Sequence, residues 1–176
     1  MNGVANGDRV AAVMPNMPNS IVAMLGTASI GAVWSSCSPD FGTQGILDRF
    51  GQISPKVLVV CDGYRYAGKS IDITDKVIAI LAKLPSIEII LVVNYLGNAA
   101  KSVVKINTEL ETGHRSALVW ASALAEVEPG APAFERFRFN HPLCILFSSG
   151  TTGVPKCIVH SAGGLLLKHL SEHILH

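Results

Sequence analysis

Apolar residues along the chain change period repeatedly, from short continuous runs to helical stripes and back. Arg9 to Met14 (RVAAVM) is a short apolar run, and the PNMPN after it ends a strand and supplies Asn and Pro for a helix start. Ile21, Met24, Leu25 and Ala28 then recur at helical spacing, Ala32 to Ser36 resumes as strand, Pro39 to Gly42 turns, and Ile46, Leu47, Phe50 and Ile53 fit one helical face. Lys56 to Cys61 (KVLVVC) is a continuous run rich in β-branched residues, as expected of a strand covered on both faces. After the polar segment Asp62 to Ser70, Val77, Leu81 and Leu84 form a helical stripe, with Thr74 or Asp75 as N-cap and Pro85 as stop. Ile87 to Val93 is another buried strand.

Strands alternating with helices predict an α/β fold, a doubly wound parallel sheet with crossover helices. Asn94 to His141 breaks the alternation. Gly97, Gly113 and the PGAP at 129–132 interrupt it, and only Leu118 to Val127 reads as helical, so the expectation is an irregular excursion from the sheet. Leu143 to Phe147 returns as strand, SSGTTGVPK follows as a loop, Cys157 to His160 is a short strand, and a helix begins near Gly164.

Composition narrows the class. A chain of 176 residues with 49% hydrophobic and 15% charged residues suits one folded domain and excludes a disordered protein. Its net charge of +1 provides no global field, so neither nucleic acid nor an anionic membrane is an expected partner. The mean hydropathy of +0.39 raises the question of a membrane span. The longest apolar stretch, Ile21 to Trp34, falls short of the roughly 20 residues a span needs and contains Gly26, Thr27, Ser29 and Gly31. MNGVANGDRV carries no basic region followed by an apolar core, so no secretory signal is expected. Cys37, Cys61, Cys144 and Cys157 form no CxxC pair and lie in apolar runs, which predicts reduced, packed cysteines and a cytosolic location.

Three motifs carry candidate chemistry. Residues 63–70, GYRYAGKS, fit G-x-x-x-x-G-K-[ST], in which backbone N–H groups curl around phosphates, the Lys neutralises them and the Ser holds Mg²⁺. That mechanism needs a helix starting at the Gly-Lys-Ser, whereas β-branched Ile71 and Ile73 follow here. An anion-binding loop of another kind is the favoured reading, and a P-loop NTPase using Lys69 and Ser70 is the alternative. His169, Glu172 and His173 spell H-x-x-E-H, a zinc pattern, but a third ligand must come from downstream and the sequence stops at His176. A solvated helix face and no protein-held metal are expected. The third motif is Ser148-Ser149-Gly150-Thr151-Thr152-Gly153-Val154-Pro155-Lys156. Small hydroxyl and glycine residues after a buried strand can aim backbone N–H and hydroxyl donors at a phosphate chain. Lys156 adds a compact positive charge for a triphosphate or a departing pyrophosphate.

This last string resembles the phosphate loop of the adenylate-forming superfamily, [ST]-[ST]-G-[ST]-T-G-x-P-K-G, departing from it at Cys157, where most members have Gly. MPNMPNSIVAMLGTASIGAVWSSCSPDFG, LDRFGQISPKVLVV and FNHPLCILFSSGTTGVPKCIVH extend the likeness to the acetoacetyl-CoA synthetases within it. The resemblance implies a two-step acid–thiol ligase. A carboxylate such as acetoacetate attacks the ATP α-phosphorus to give an acyl-adenylate and pyrophosphate, and CoA then displaces AMP. It further implies that Ser148, Ser149, Gly150, Thr151, Thr152, Gly153 and Pro155 cradle the phosphates of ATP with its Mg²⁺. Lys156, Thr151 and Thr152 are then the groups engaged in catalysis. In the related acetyl-CoA synthetases a basic, glycine-containing segment after the corresponding strand contacts CoA, which here falls on Arg65, Tyr66, Ala67, Gly68 and Lys69. Residues 1–176 would then be part of a single AMP-binding N-terminal domain, a piece of a longer ligase whose adenine, ribose and mobile C-terminal elements lie elsewhere. Such a piece is expected to be inactive alone; a non-catalytic nucleotide-binding module is the alternative.

Overall fold

In a computed structural model, residues 3–110, 113–131, 135–148 and 153–175 are described. The first alternations fold as their periodicity dictates: β1 (Arg9–Val13), α1 (Pro18–Ser29), β2 (Val33–Cys37), α2 (Thr43–Phe50) and β3 (Val57–Cys61). Pro18 opens α1 at its first turn, where a missing N–H costs nothing. A hairpin follows, β4 (Gly63–Tyr66) and β5 (Lys69–Asp72), then α3 (Thr74–Leu81), β6 (Ile89–Val93), α4 (Ala99–Glu109), β7 (Ser116–Val119) and α5 (Trp120–Ala125). The described chain closes with β8 (Pro142–Ser148), β9 (Lys156–Ser161) and α6 (Ala162–Leu175).

The main sheet has the order β7-β6-β3-β1-β2-β8-β9, parallel throughout except for the antiparallel β8–β9 edge. The chain moves from β1 to β2 on one side and then crosses to β3 on the other, so the doubly wound expectation holds. Right-handed crossovers put α1 and α5 on one face and α2, α3 and α4, packed in that succession, on the other. Alternate residues show the difference between the faces. Leu58 and Ile90, under α2 to α4, are fully buried, whereas Leu91, on the α1/α5 face, is only half-buried. An apolar groove of about 280 Å³ remains there between α1 and α5, floored by Val10, Val57, Val59 and Leu91.

Two expectations are corrected. The segment 62–70 is no open polar loop. Tyr66 and Lys69 close a two-residue turn in which Ala67 (φ 47°) and Gly68 (φ 76°) both take left-handed backbone, the geometry that matches strand twist. Gly63 is fixed by packing, since a Cβ there would collide with Leu96 Cδ1 and the Ile71 carbonyl oxygen. Both glycines of the apparent P-loop thus have structural roles. Strand β5 stands between Lys69 and the helix, so no helix N-terminus faces that lysine, and the NTPase alternative using Gly63–Ser70 fails. Helix α3 starts at Thr74 with Ile73 in the cap position, and its end is tied by Asp72, whose Oδ1 accepts from the Thr74 N–H at 2.7 Å.

The stretch 94–141 is also more regular than its pattern suggested. It contributes α4 and the edge strand β7, and the helix expected over 118–127 is confined to Trp120–Ala125. The buried face of α4 is Ala99, Ser102 and Ile106, two small residues and one large, so its stripe is faint in sequence. Strand β7 buries only Ala117, too little for a pattern to register.

All four cysteines are free. Burial pushes the Cys37 thiol up from its usual 9.0 to about 12, against a smaller opposing pull from Arg49, and pushes Cys61 to about 11. A raised thiol pKa favours the neutral folded state. Its contribution is complete below pH 9 and is lost as pH climbs through the folded values. Unfolding monitored by circular dichroism should therefore show stability falling progressively between pH 9 and 12, and Cys37→Ala should flatten that slope.

Candidate functional site

Every parallel strand of the sheet ends on one edge, and the residues that can do chemistry collect there. Strands β8 and β9 form a hairpin whose closing pair is Ser148 opposite Lys156. Of the hydroxyl-glycine loop between them, Ser149, Gly150, Thr151 and Thr152 lie outside the described residues. Gly153 has φ 105°, backbone that L side chains rarely adopt, so glycine is required at this point of the loop. Lys156 is exposed and, among the described residues, forms no ion pair. The loop's root is tied to the sheet. Ser35 Oγ, fully buried, donates to the Ile145 carbonyl at 2.8 Å and holds β2 against β8.

One strand further in lies a cavity of about 400 Å³. Met14, Pro15 and Asn16 after β1, Ser36 to Asp40 after β2, Tyr64 to Tyr66 of the hairpin, and Tyr95 after β6 line it. It sits where the winding direction reverses, the place open α/β sheets use for ligands. Lys76 fixes its floor, donating to the carbonyls of Pro39 (2.8 Å) and Phe41 (2.9 Å) beneath the Tyr64 ring. Partial burial lowers its pKa. The far wall depends on Asp62, 1% exposed, whose Oδ1 accepts from the N–H groups of Tyr95 and Leu96 (2.8 Å each) and whose Oδ2 accepts from Asn98 N–H (2.7 Å).

Of the residues singled out in sequence, Ser148, Gly153, Pro155 and Lys156 share this edge with Arg65 and Tyr66, and the latter two line the cavity. Ala67, Gly68 and Lys69 stand at the exposed tip of the hairpin, outside the cavity lining. His169 and His173 stay on the exposed α6, where Glu172 pairs with Lys168 at 2.8 Å and its carboxyl is held below the usual range by that ammonium. No group of three His, Cys, Asp or Glu side chains suited to a metal gathers among the described residues. A larger cavity, about 560 Å³ between α3, α4 and the segment before β7, lies at the opposite edge and contains none of the sequence-predicted residues. Sequence reading missed the Ser36–Asp40 wall, Lys76, Tyr95 and Asp62. Their signal was positional, in the residues just past each predicted strand.

Comparison with known proteins gives concordant matches. A family model described as AMP-binding enzyme matches residues 1–173. The chain is 56% identical over 174 residues to the acetoacetyl-coenzyme A synthetase of Rhizobium meliloti (strain 1021) and 43% identical over 175 residues to that of Macaca fascicularis, in each case over 99% of this chain and 25% of the relative. The solved acetoacetyl-CoA synthetase from Streptomyces lividans superposes with a TM-score of 0.84 at 42% identity, covering 98% of this chain and 24% of that one. The chain thus spans about a quarter of the length of these relatives. No described helix is long and apolar enough to cross a membrane.

Asp62→Ala leaves three backbone N–H groups without their acceptor. At about 1 kcal/mol or more for each orphaned donor, urea denaturation should show a loss of roughly 3 kcal/mol.

Proposed function

Because the chain belongs to the AMP-binding enzyme family, we propose that its residues form the nucleotide-facing part of an acid–thiol ligase that joins acetoacetate to CoA at the expense of ATP. The observation that carries this reading is the Ser148–Lys156 hairpin loop, rooted at the carboxyl edge of a parallel sheet beside a cavity at the switch point. The names of the relatives supply the carboxylate.

In the first step a carboxylate oxygen bonds to the α-phosphorus while the bond to the β-phosphate bridging oxygen breaks, so negative charge builds on the departing pyrophosphate. Donors already in place lower that barrier because they need no reorganisation as the charge develops. The hydroxyls and N–H groups of Ser148, Ser149, Gly150, Thr151, Thr152 and Gly153 are the donors for the β- and γ-phosphates, and Pro155 stiffens the approach to Lys156, whose ammonium follows the leaving group. Magnesium would come with the nucleotide and would offset charge on its phosphates. In the second step the CoA sulfur bonds to the acyl carbon and AMP leaves. The 400 Å³ cavity has the volume of a small-molecule site. Arg65 at its rim and Lys69 at the hairpin tip are the cations for CoA phosphates, with Tyr66, Ala67 and Gly68 carrying them. This deployment suits a cytosolic enzyme whose N-terminal domain includes residues 1–176, the rest of its sites lying in the other three quarters of the relatives' length.

Titration of the purified chain with ATP should show binding that weakens about 10- to 100-fold in Lys156→Ala, the value of one charged hydrogen-bond partner, and is unchanged in Lys69→Ala. Loss with Lys69→Ala and retention with Lys156→Ala would overturn the assignment. Acetoacetate-dependent pyrophosphate release, followed by a coupled assay, should be undetectable from these 176 residues alone; sustained release would show that they suffice for adenylation.

A further inference from the structure

The last turn of α2 and the turn that follows it lie beside the two roots of the Ser148–Lys156 loop. Before the loop, the Arg49 guanidinium lies 6.0 Å from the centre of the Phe147 ring and 4.5 Å from that of Phe41, and it is steadied by donating to the Gly45 carbonyl at 2.6 Å. After the loop, Gln52 bonds to the residues on either side of Lys156. Its Nε2 donates to the Pro155 carbonyl at 2.8 Å, and its Oε1 accepts from the Cys157 thiol at 3.4 Å. The second Nε2 hydrogen goes to the Asp48 carbonyl in the last turn of α2, at 2.6 Å. Phe147 and Cys157 are themselves a cross-strand pair, so one helical turn spans the base of the hairpin.

The chemistry of the amide makes this arrangement directional. A carboxamide offers two donors on nitrogen and an acceptor on oxygen. Here both donors meet carbonyl oxygens and the oxygen meets a thiol. Rotating the amide by half a turn would aim its oxygen at the two carbonyl oxygens, so they set the orientation, and the thiol adds a donor for the amide oxygen that favours the same one.

We propose that Gln52 is a positioning residue for the phosphate loop, setting the peptide plane that leads into Lys156, and that Cys157 supports it by donating to the amide oxygen. The role in ATP binding rests on the phosphate-loop reading above; the clamp itself does not. Backbone amide hydrogen exchange at Lys156 and Cys157 of the 176-residue chain tests it. Gln52→Ala should speed exchange about five- to tenfold, the value of one net hydrogen bond. Cys157→Ala should speed it less, and Cys157→Ser, which keeps a donor, should restore the parent rate. The Gln52→Ala/Cys157→Ala double variant should show less than the sum of the two single effects, because the thiol acts on the loop in part through the amide. Affinity for ATP should fall in Gln52→Ala by a similar factor while affinity for AMP, which lacks the β- and γ-phosphates, stays the same. Unchanged exchange in Gln52→Ala, or additive effects in the double variant, overturns the clamp. Faster exchange in Gln52→Ala combined with ATP affinity insensitive to Lys156→Ala leaves the clamp standing and overturns the phosphate-loop reading instead.

Discussion

A carboxylate removed from water must be met by donors or it destabilises the fold that encloses it, and Asp62 meets three of them in one turn. Its oxygens gather the N–H groups of Tyr95, Leu96 and Asn98, joining the end of β3 to the exit of β6. Its own backbone extends the tie, since Asp62 N–H donates to the Val93 carbonyl at 3.1 Å. Leu96, seated by this turn, occupies the space that a side chain at Gly63 would need, so hairpin and turn lock against each other. The cavity wall contributed by Tyr64, Arg65, Tyr66 and Tyr95 follows from that one residue.

Much of the architecture was legible because burial on both faces leaves a strong trace. Strands such as VLVVC and IILVV have little polar content to mislead, and Phe50, Ile46 and Leu81 mark their helices clearly. What escaped notice was held by groups whose identity says little about their partners. The β4–β5 hairpin is a solvent-exposed ribbon with polar residues at Arg65, Lys69 and Ser70, and its turn residues, Ala67 and Gly68, lack the Asn-Gly or Asp-Gly signature of such turns. The buried pair Thr74 and Ser102, hydroxyls 2.8 Å apart, ties α3 to α4 with no apolar periodicity at all.

The site divides in the same way. The order of small hydroxyl residues, glycines and Lys156 is readable because, on the function proposed above, phosphate recognition constrains residue type locally. Lys76, Asp62 and Gln52 are not readable, because each acts on backbone groups that are distant in sequence: Lys76 on the carbonyl of Pro39, Asp62 on the N–H of Tyr95, Gln52 on the carbonyl of Pro155. A carbonyl or N–H partner leaves no mark on the sequence at its own position. Folding alone reveals such pairs.

Helix α2 is eight residues long, roughly 12 Å at the usual rise, and too short to bend appreciably. The loop that enters it, Pro39 to Gly42, is held by Lys76 and begins in the cavity wall, while the far end of the helix carries Arg49 and leads into the turn that holds Gln52. The helix is therefore a strut between the cavity wall and the base of the hairpin that carries Lys156. A rod this short does not absorb displacement along its length, so the positions of Pro39 and Asp40 and of the hairpin base that leads to Lys156 are set together.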